Sequence, residues 1–463
     1  MSARNQIQFG VFFQGVNFST IWTDPRSGSQ TDFESFRRVA QTAERGLFSA
    51  FFLGEGLRLR EHLGGVHDLD VVGRPDALTQ LAALAAVTER IGLVATQNTT
   101  YNDPIDLAHR LQSLDVLSGG RAAWNIVTTD NAWTGANFRR GGYLDHADRY
   151  RHAENVVNTA RAIWDSWSDA AIALTADEPH WARAGEVTAV ERELGAYAVR
   201  GSARLPRSPQ QHPVLFQAGD SDEGRDFAAR SADVIFSAHA AFEDAKQFAA
   251  DVRRRVAAAG RPEDDVKIFP GQQFVLADTD AEARDKARWV AENQVTPATA
   301  LAFLENVWGT SLSAYDPDGP LPEIDPVVDV TGETRGAGFR DQKAKETADA
   351  WRAKAAAEHL SIREFVIAVG LRGGGIVGGY GSVADLLARY ADERVVDGFN
   401  IAPWLIPSGL DDIVDRLVPE LQERGVYPTE YRGSTLREHL GLRAPLTRRH
   451  VAVDAAPRSF DRL

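Results

Sequence analysis

The residues of this chain that could do chemistry are the polar side chains that directly follow short apolar runs. They are Gln14 and Asn17, Glu55, Thr96 to Thr100, Asn125 with Thr128 and Thr129, Gln217 to Ser221, Ser237 with His239, and Gln272. Amides and hydroxyls dominate, and the set suits a neutral polar ring system better than acid–base work by a carboxylate pair. The chain has no Cys, which excludes disulfides, thiolate metal sites, iron–sulfur clusters and Cys nucleophiles. Any redox chemistry must therefore come from a bound cofactor. The 11 His are scattered, with no His-Glu-x-x-His, and His62 and His67 near Glu61 and Asp68 read as a solvated loop, so no metal site is expected. A Gly-x-Ser-x-Gly elbow and a Walker loop are both missing, which leaves acyl transfer and nucleotide hydrolysis without support.

Two glycine-bearing stretches invite a phosphate. Gly373-Gly-Gly375-Ile-Val-Gly378 fits the dinucleotide pattern between the apolar run Phe365–Leu371 and a helix opening at Ser382. A dinucleotide fold places that loop in its first βα unit, and here only the last part of the chain follows it. In Gln217-Ala-Gly-Asp-Ser-Asp-Glu-Gly-Arg225 an apolar run ends at Gly219 and a helix begins near Asp222. Its free backbone N–H groups and the Ser221 hydroxyl form an anion site, but acids in a first turn are also what an ordinary helix start favours. Both readings stand at this level.

The elements that must position these residues alternate strand and helix. Strands are expected at Ile7–Phe13, Phe48–Leu53, Ile91–Thr96, Ala122–Thr128, Val214–Ala218, Asp233–Ala238, Val266–Val275 and Gly398–Ala402. Helices are expected at 32–45, 76–90, 104–117, 144–167, 222–231, 242–259, 281–308, 340–358, 382–394 and 411–424. This pattern predicts one domain over residues 1–463, a (β/α)8 TIM barrel with insertions after strands 4 and 7, at about 168–212 and 309–360, and a C-terminal arm over 440–463. A doubly wound sheet is the competing architecture. In a barrel the site lies at the C-terminal ends of the strands, where the polar residues named above fall.

The balance of 51 basic against 65 acidic side chains, a net charge of −14, opposes nonspecific binding to nucleic acid or anionic lipid. The stretch Ala77–Ala95 carries Thr79, Gln80, Thr88, Glu89 and Arg90 and is too polar to cross a bilayer. The first residues have no basic segment followed by an apolar one, so a cytoplasmic location is expected.

Several segments together resemble the bacterial-luciferase-like flavin monooxygenases, in particular the group of nitrilotriacetate, EDTA, dibenzothiophene-sulfone and long-chain alkane monooxygenases. They are Phe51-Phe-Leu-Gly-Glu-Gly56, Ala95-Thr-Gln-Asn-Thr-Thr-Tyr-Asn-Asp-Pro104, Leu107-Ala-His-Arg110, Gly119-Gly-Arg-Ala-Ala-Trp-Asn-Ile-Val-Thr-Thr129, His146-Ala-Asp-Arg-Tyr150, Gln217–Arg225, Gly378–Leu386 and Asp397-Gly-Phe-Asn400. The resemblance implies a luciferase-like barrel that takes FMNH2 from a separate NADH-dependent flavin reductase, reacts it with O2, and oxygenates or cleaves a small organic substrate bearing sulfur, nitrogen or halogen. The flavin then carries the chemistry, and no catalytic side chain is assigned. The resemblance also implies that Asn125, Thr129 and Thr96 lie by the flavin ring. It further implies that His146, Tyr150 and Ser221 hold the phosphate with the amides of Gly219, Asp220 and Ser221, and that the chain forms a homodimer or homotetramer.

Two departures matter. Glu55 stands where the family run Phe-x-Ala-Asp-Gly has Asp, and Gly219-Asp220-Ser221 stands for Gly-Ser-Ser, so Asp220 must turn toward solvent or a partner such as Arg225. Phe13, Asn17, Trp22 and Tyr101 follow strand ends and are the candidate substrate-pocket residues; their neutral, aromatic character favours an aromatic or aliphatic substrate over a polycarboxylate. Arg58, Arg60, Arg139 and Arg140 reopen that question. An F420-dependent oxidoreductase on the same barrel, a non-catalytic flavin-binding protein, and a Rossmann dehydrogenase resting on the glycine pattern alone remain alternatives.

Overall fold

Eight parallel strands close into a barrel in the computed structural model, which describes residues 4–13, 20–59, 61–62, 65–66, 74–129, 132–135, 137–138, 146–172, 180–194, 197–327, 343–370 and 375–445. The barrel strands are β1 (Gln8–Phe13), β2 (Ala50–Leu53), β3 (Gly92–Asn98), β4 (Ala122–Val127), β5 (Val214–Gln217), β6 (Val234–Ser237), β7 (Lys267–Gln272) and β8 (Gly398–Ile401). Each pairs in parallel with its sequence neighbours, and β1 pairs with both β2 and β8. Parallel neighbours require a crossover, and helices such as Phe33–Arg45, Pro104–Leu117, Asp222–Ser231 and Phe242–Ala258 supply it. The doubly wound alternative is therefore overturned, and with it the dinucleotide reading. The segment before that glycine pattern is a helix, Ile362–Gly370, and Ile376–Gly379 within it is a strand outside the barrel.

Strand alternation sorts the side chains into an inner and an outer core. Phe12, Ala50, Phe52, Val94, Ala123, Val214, Phe216, Val234 and Phe269 form one apolar cluster within the barrel. Leu436 and Leu440, at the two ends of the short helix Leu436–His439, belong to the same cluster, as does Leu442, and they close the N-terminal mouth. A reciprocal cap fixes this helix, with Thr435 and Glu438 each bonding the other's backbone N–H. The stretch read as a C-terminal arm thus begins inside the barrel, and its residues 446–463 lie outside the described ones. With one mouth plugged, access to the interior is from the C-terminal ends of the strands.

Two expected elements are corrected. Val266–Val275 is two strands, because the chain leaves the barrel after Gln272 and Phe274–Ala277 pairs with Ile376–Gly379 instead. The helix expected over 281–308 breaks into Asp280–Gln294 and Pro297–Trp308; Thr296 caps the second by accepting from the Thr299 N–H, and Pro297 cannot continue the first. The 168–212 stretch contains an antiparallel hairpin of Val190–Leu194 with Tyr197–Gly201. The second insertion contributes to a separate small core in which Leu304, Trp308, Leu312, Leu321, Ala348 and Phe365 pack together.

Candidate active site

At the open end, register places the polar rim residues side by side. Thr96 on β3 is level with Asn125 on β4, which is level with Phe216 on β5; across the barrel Gly10 and Gly271 flank Asn400 on β8. Asn125 Nδ2 donates to Thr96 Oγ1 at 3.0 Å, while Asn125 Oδ1 is buried with no partner among the described residues. Asn400 Oδ1 and Gln217 Oε1 are buried in the same state. Buried acceptors without donors are costly, and three at one mouth mark a place where a ligand bearing N–H or O–H groups would be at home. Beside them lies an aromatic floor, with Phe12 and Phe52 edge to face at 5.0 Å, Phe52 against Phe216 at 6.0 Å and Phe12 against Phe236 at 5.7 Å. This floor keeps water out from beneath.

Thr129 joins the rim as the acceptor of an Asn98 Nδ2 hydrogen bond, and its N–H donates to Thr100 Oγ1 at 3.2 Å. Glu55, just past β2, accepts from Gln97 Nε2 at 3.2 Å. Burial, and to a lesser degree the nearby Asp76 carboxylate, push its pKa up to about 8. At neutral pH it is a carboxylic acid that can donate a hydrogen bond.

The turn from β5 into the helix Asp222–Ser231 is built around two glycines. A Cβ at Gly219 would fall 2.4 Å from Gln217 Nε2 and 2.9 Å from the Tyr150 hydroxyl; one at Gly224 would fall 2.8 Å from that hydroxyl and 3.0 Å from the Gly219 carbonyl carbon. The Tyr150 hydroxyl, carried on the helix His146–Trp164, is thus seated directly against the loop. Ser221 caps the helix, its Oγ accepting from the Gly224 N–H at 3.2 Å, which leaves the hydroxyl proton to donate outward. Two of the three acids that made this loop ambiguous, Asp220 and Asp222, are turned aside. Asp220 is held by Arg225 at 2.8 Å and by His239 at 3.1 Å, the arginine pairing expected from sequence, and Asp222 is held by Arg255 at 2.6 Å. The helix N-terminus therefore keeps its positive character, and glycine backbone, a hydroxyl and a phenol form a cradle for a phosphate.

The substrate-pocket candidates separate. Phe13 faces the outer core, packing on Phe36 at 4.4 Å and Phe51 at 6.1 Å, so it does not line the mouth; on a strand whose alternate residues point opposite ways, Phe12 is the inward aromatic. Tyr101 lies in the loop after β3, stacked on Phe138 at 4.2 Å. Trp22 is laid beside the loop after β8 by two backbone bonds, Ile21 to Trp404 at 2.9 Å and Gly28 to Ile406 at 2.8 Å, and its Nε1 is buried with no partner among the described residues. Asn17, Arg60, Arg139, Arg140 and the side chain of His146 lie outside the described residues. Sequence reasoning missed Phe12, Phe52, Phe216 and Phe236, since both faces of these strands are apolar and nothing in the pattern says which is inward. Among the described residues no three His, Asp or Glu side chains are placed to hold a metal, and no helix is long and apolar enough to cross a membrane. A cavity of about 730 Å³ opens at the other end of the barrel, where Arg437 pairs with Asp233 at 3.2 Å; the strand-end polar residues do not line it.

Comparison with known proteins shows the family. The family model described as luciferase-like monooxygenase matches residues 7–396. The chain is 37% identical over 460 residues to nitrilotriacetate monooxygenase component A of Aminobacter aminovorans, covering 96% of this chain and 98% of that protein. It is 36% identical over 455 residues to N-acetyl-S-(2-succino)cysteine monooxygenase of Bacillus subtilis (strain 168), covering 96% and 99%. Among solved structures, a riboflavin lyase with modified FMN and riboflavin superposes with a TM-score of 0.76 at 30% identity, covering 95% of this chain and 96% of that one. With a family model over most of its length and relatives matched almost end to end, the chain belongs to the luciferase-like monooxygenase family and is a monooxygenase.

Proposed function

We propose that this protein is the oxygenase of a two-component system, using FMNH2 from a separate NADH-dependent flavin reductase and O2 to oxygenate or cleave a small organic substrate. The observation that carries the reading is the cradle of Gly219, Ser221, Gly224 and Tyr150 at a helix N-terminus, one strand away from the orphaned amide of Asn125. A phosphate in the cradle and a polar ring at the mouth are the two ends of FMN. The relatives add support: one is named as component A of its system, and a solved neighbour carries modified FMN.

When bound, reduced FMN would supply the two electrons with which O2 is divided between the oxygenated product and water. The chain's own residues do the rest. Tyr150 and Ser221 donate to the phosphate with the amides of Gly219 to Ser221, and the family resemblance assigns His146 the same role. Asn125 Oδ1 accepts from the ring, Thr96 orients that amide, and Thr129 closes the rim beside it. Glu55 donates from the opposite side, and the aromatic floor excludes water. Trp22 and Tyr101 border the space left for substrate.

Anaerobic titration with FMNH2, followed by rapid mixing with O2, tests this. Binding that alters the course of flavin reoxidation relative to free FMNH2 is the expected result; no binding, with reoxidation identical to free flavin, would overturn it. A second expectation concerns the cradle. Ser221→Ala and Tyr150→Phe should each weaken FMN binding about tenfold, near the lower end of the 1.5–3 kcal/mol typical of a hydrogen bond to a charged group, because the helix N–H groups remain. Fluorescence titration of FMN checks this, and unchanged affinity in both variants would remove the phosphate assignment.

A further inference from the structure

The geometry of one arginine goes further than the flavin site and says what kind of substrate shares it. Strand alternation turns Ala50 and Phe52 inward, and Gly54, two residues on, continues the same face where the chain leaves β2. A Cβ built on Gly54 would lie 2.6 Å from Nη1 of Arg74, 3.4 Å from its guanidinium carbon and 3.6 Å from the ring of Phe12. The guanidinium and the floor aromatic therefore converge over a residue that has no side chain. Gly54 is also the glycine that stands at the alanine of the run Phe-x-Ala-Asp-Gly, and only its missing methyl leaves the arginine room.

Local structure holds Arg74 there. Pro75 confines the preceding residue to extended backbone, and Asp76 caps the helix Ala77–Ala85, its carboxylate accepting from the Thr79 N–H at 2.8 Å. Burial lowers the Arg74 pKa to about 10, so the side chain remains a cation at neutral pH. Around the barrel, β3 and β4 separate β2 from β5, so this cation stands on another side of the mouth from the phosphate cradle. A half-buried guanidinium beside an aromatic floor is a fork shaped for a planar oxyanion, and a carboxylate matches it in both charge and geometry.

We propose that Arg74 anchors a carboxylate of the substrate at the mouth of the barrel, so that this monooxygenase acts on carboxylate-bearing compounds and presents the remainder of the molecule to the flavin over the Phe12 side of the floor. The proposal rests on the FMN reading of the site and departs from the preference for an aromatic or aliphatic substrate over a polycarboxylate drawn from the strand-end aromatics. Arg74 escaped that reading because it lies in a loop 20 residues beyond the strand end it covers.

The test uses FMN-loaded protein and three acids, succinate, phenylacetate and nitrilotriacetate, each against its methyl ester. Binding is read from the change in the visible spectrum of the bound flavin. The wild type should bind at least one acid about tenfold or more tightly than its ester, the yield of one charge-assisted hydrogen-bonded pair. That preference should vanish in Arg74→Ala and return in part in Arg74→Lys, which keeps the charge and loses the fork. Gly54→Ala, which crowds the guanidinium out of its place, should reduce it as well. FMN affinity should be the same in wild type, Arg74→Ala and Arg74→Lys. Acids bound no better than esters by the wild type, or a preference that survives in Arg74→Ala, overturns the anchor while leaving the flavin reading intact. Failure of the wild type to bind FMN at all overturns the reading beneath it.

Discussion

Replacing Gly224 with alanine should weaken FMN binding by about three orders of magnitude while the apoprotein stays folded. The added methyl would sit 2.8 Å from the Tyr150 hydroxyl and 3.0 Å from the carbonyl carbon of Gly219. A flexible side chain can swing away from such a contact, but the Gly219 backbone must give by a few tenths of an ångström, and the turn that carries the phosphate amides shifts with it. Its amides would then part from Tyr150, and with them two or three of the bonds assigned to the phosphate. At about 1.5–3 kcal/mol each, loss or misalignment of two such bonds comes to roughly 4 kcal/mol, which is the thousandfold expected. Stability should fall only modestly, because the better helix propensity of alanine within the first turn of Asp222–Ser231, up to about 1 kcal/mol, offsets part of the strain of the contact. FMN titration and a thermal melt of the apoprotein together decide the matter. An FMN affinity within threefold of wild type would show that nothing phosphate-like is bound there; a melt lowered by tens of degrees would show that the glycine serves the fold.

Where the sequence was sufficient, the reason was that one short stretch held both partners of an interaction. Asp220 and Arg225 flank a single helix start, so their pairing could be read five residues apart, and the apolar runs that became β2 to β6 each ended in the polar residues that now stand at the mouth. The reading failed where the deciding contact was between distant stretches. Phe12 and Phe13 are chemically equal neighbours, and which of them faces in is settled only by closure of β1 against β2 and β8. The run Val266–Val275 is apolar enough for one long strand, yet the chain turns off after Gln272 because Ile376–Gly379, a hundred residues on, offers Phe274–Ala277 a second partner. Leu436 and Leu440 carry no sign in their spacing that they plug a barrel. Arg74 shows the same limit at the site itself, since its place over Gly54 depends on the turn before a helix that sequence alone started one residue earlier and ended five residues later.

Glu55 should make tight binding of reduced flavin depend on pH, with the loss on the alkaline side. Its carboxyl is pushed up to about 8 by burial and by Asp76, so below that pH it is neutral and above it an anion beside a ligand that is itself anionic when reduced. Deprotonation both removes a donor and places like charges together, and FMNH2 affinity should fall about tenfold per pH unit above 8, reaching roughly a hundredfold by pH 10. Glu55→Gln cannot ionise and should show a flat profile over the same range. The effect on folding follows from the same proton. In the unfolded chain a Glu releases its proton near about 4.3, whereas the folded protein keeps it until about 8, so between those values the native state binds more protons and stability declines as the pH rises. Below the lower value both states are protonated and the fold has its full share; above the upper value that share is gone. Glu55→Gln should therefore melt higher than wild type at pH 9 by a margin that shrinks as the pH is lowered toward 5. FMNH2 titrations and thermal melts across pH 5 to 10 on the two proteins measure both consequences. Parallel profiles for the two would mean that Glu55 is ionised throughout, and the side chain would then have to be satisfied by a cation at the mouth instead of donating to the flavin.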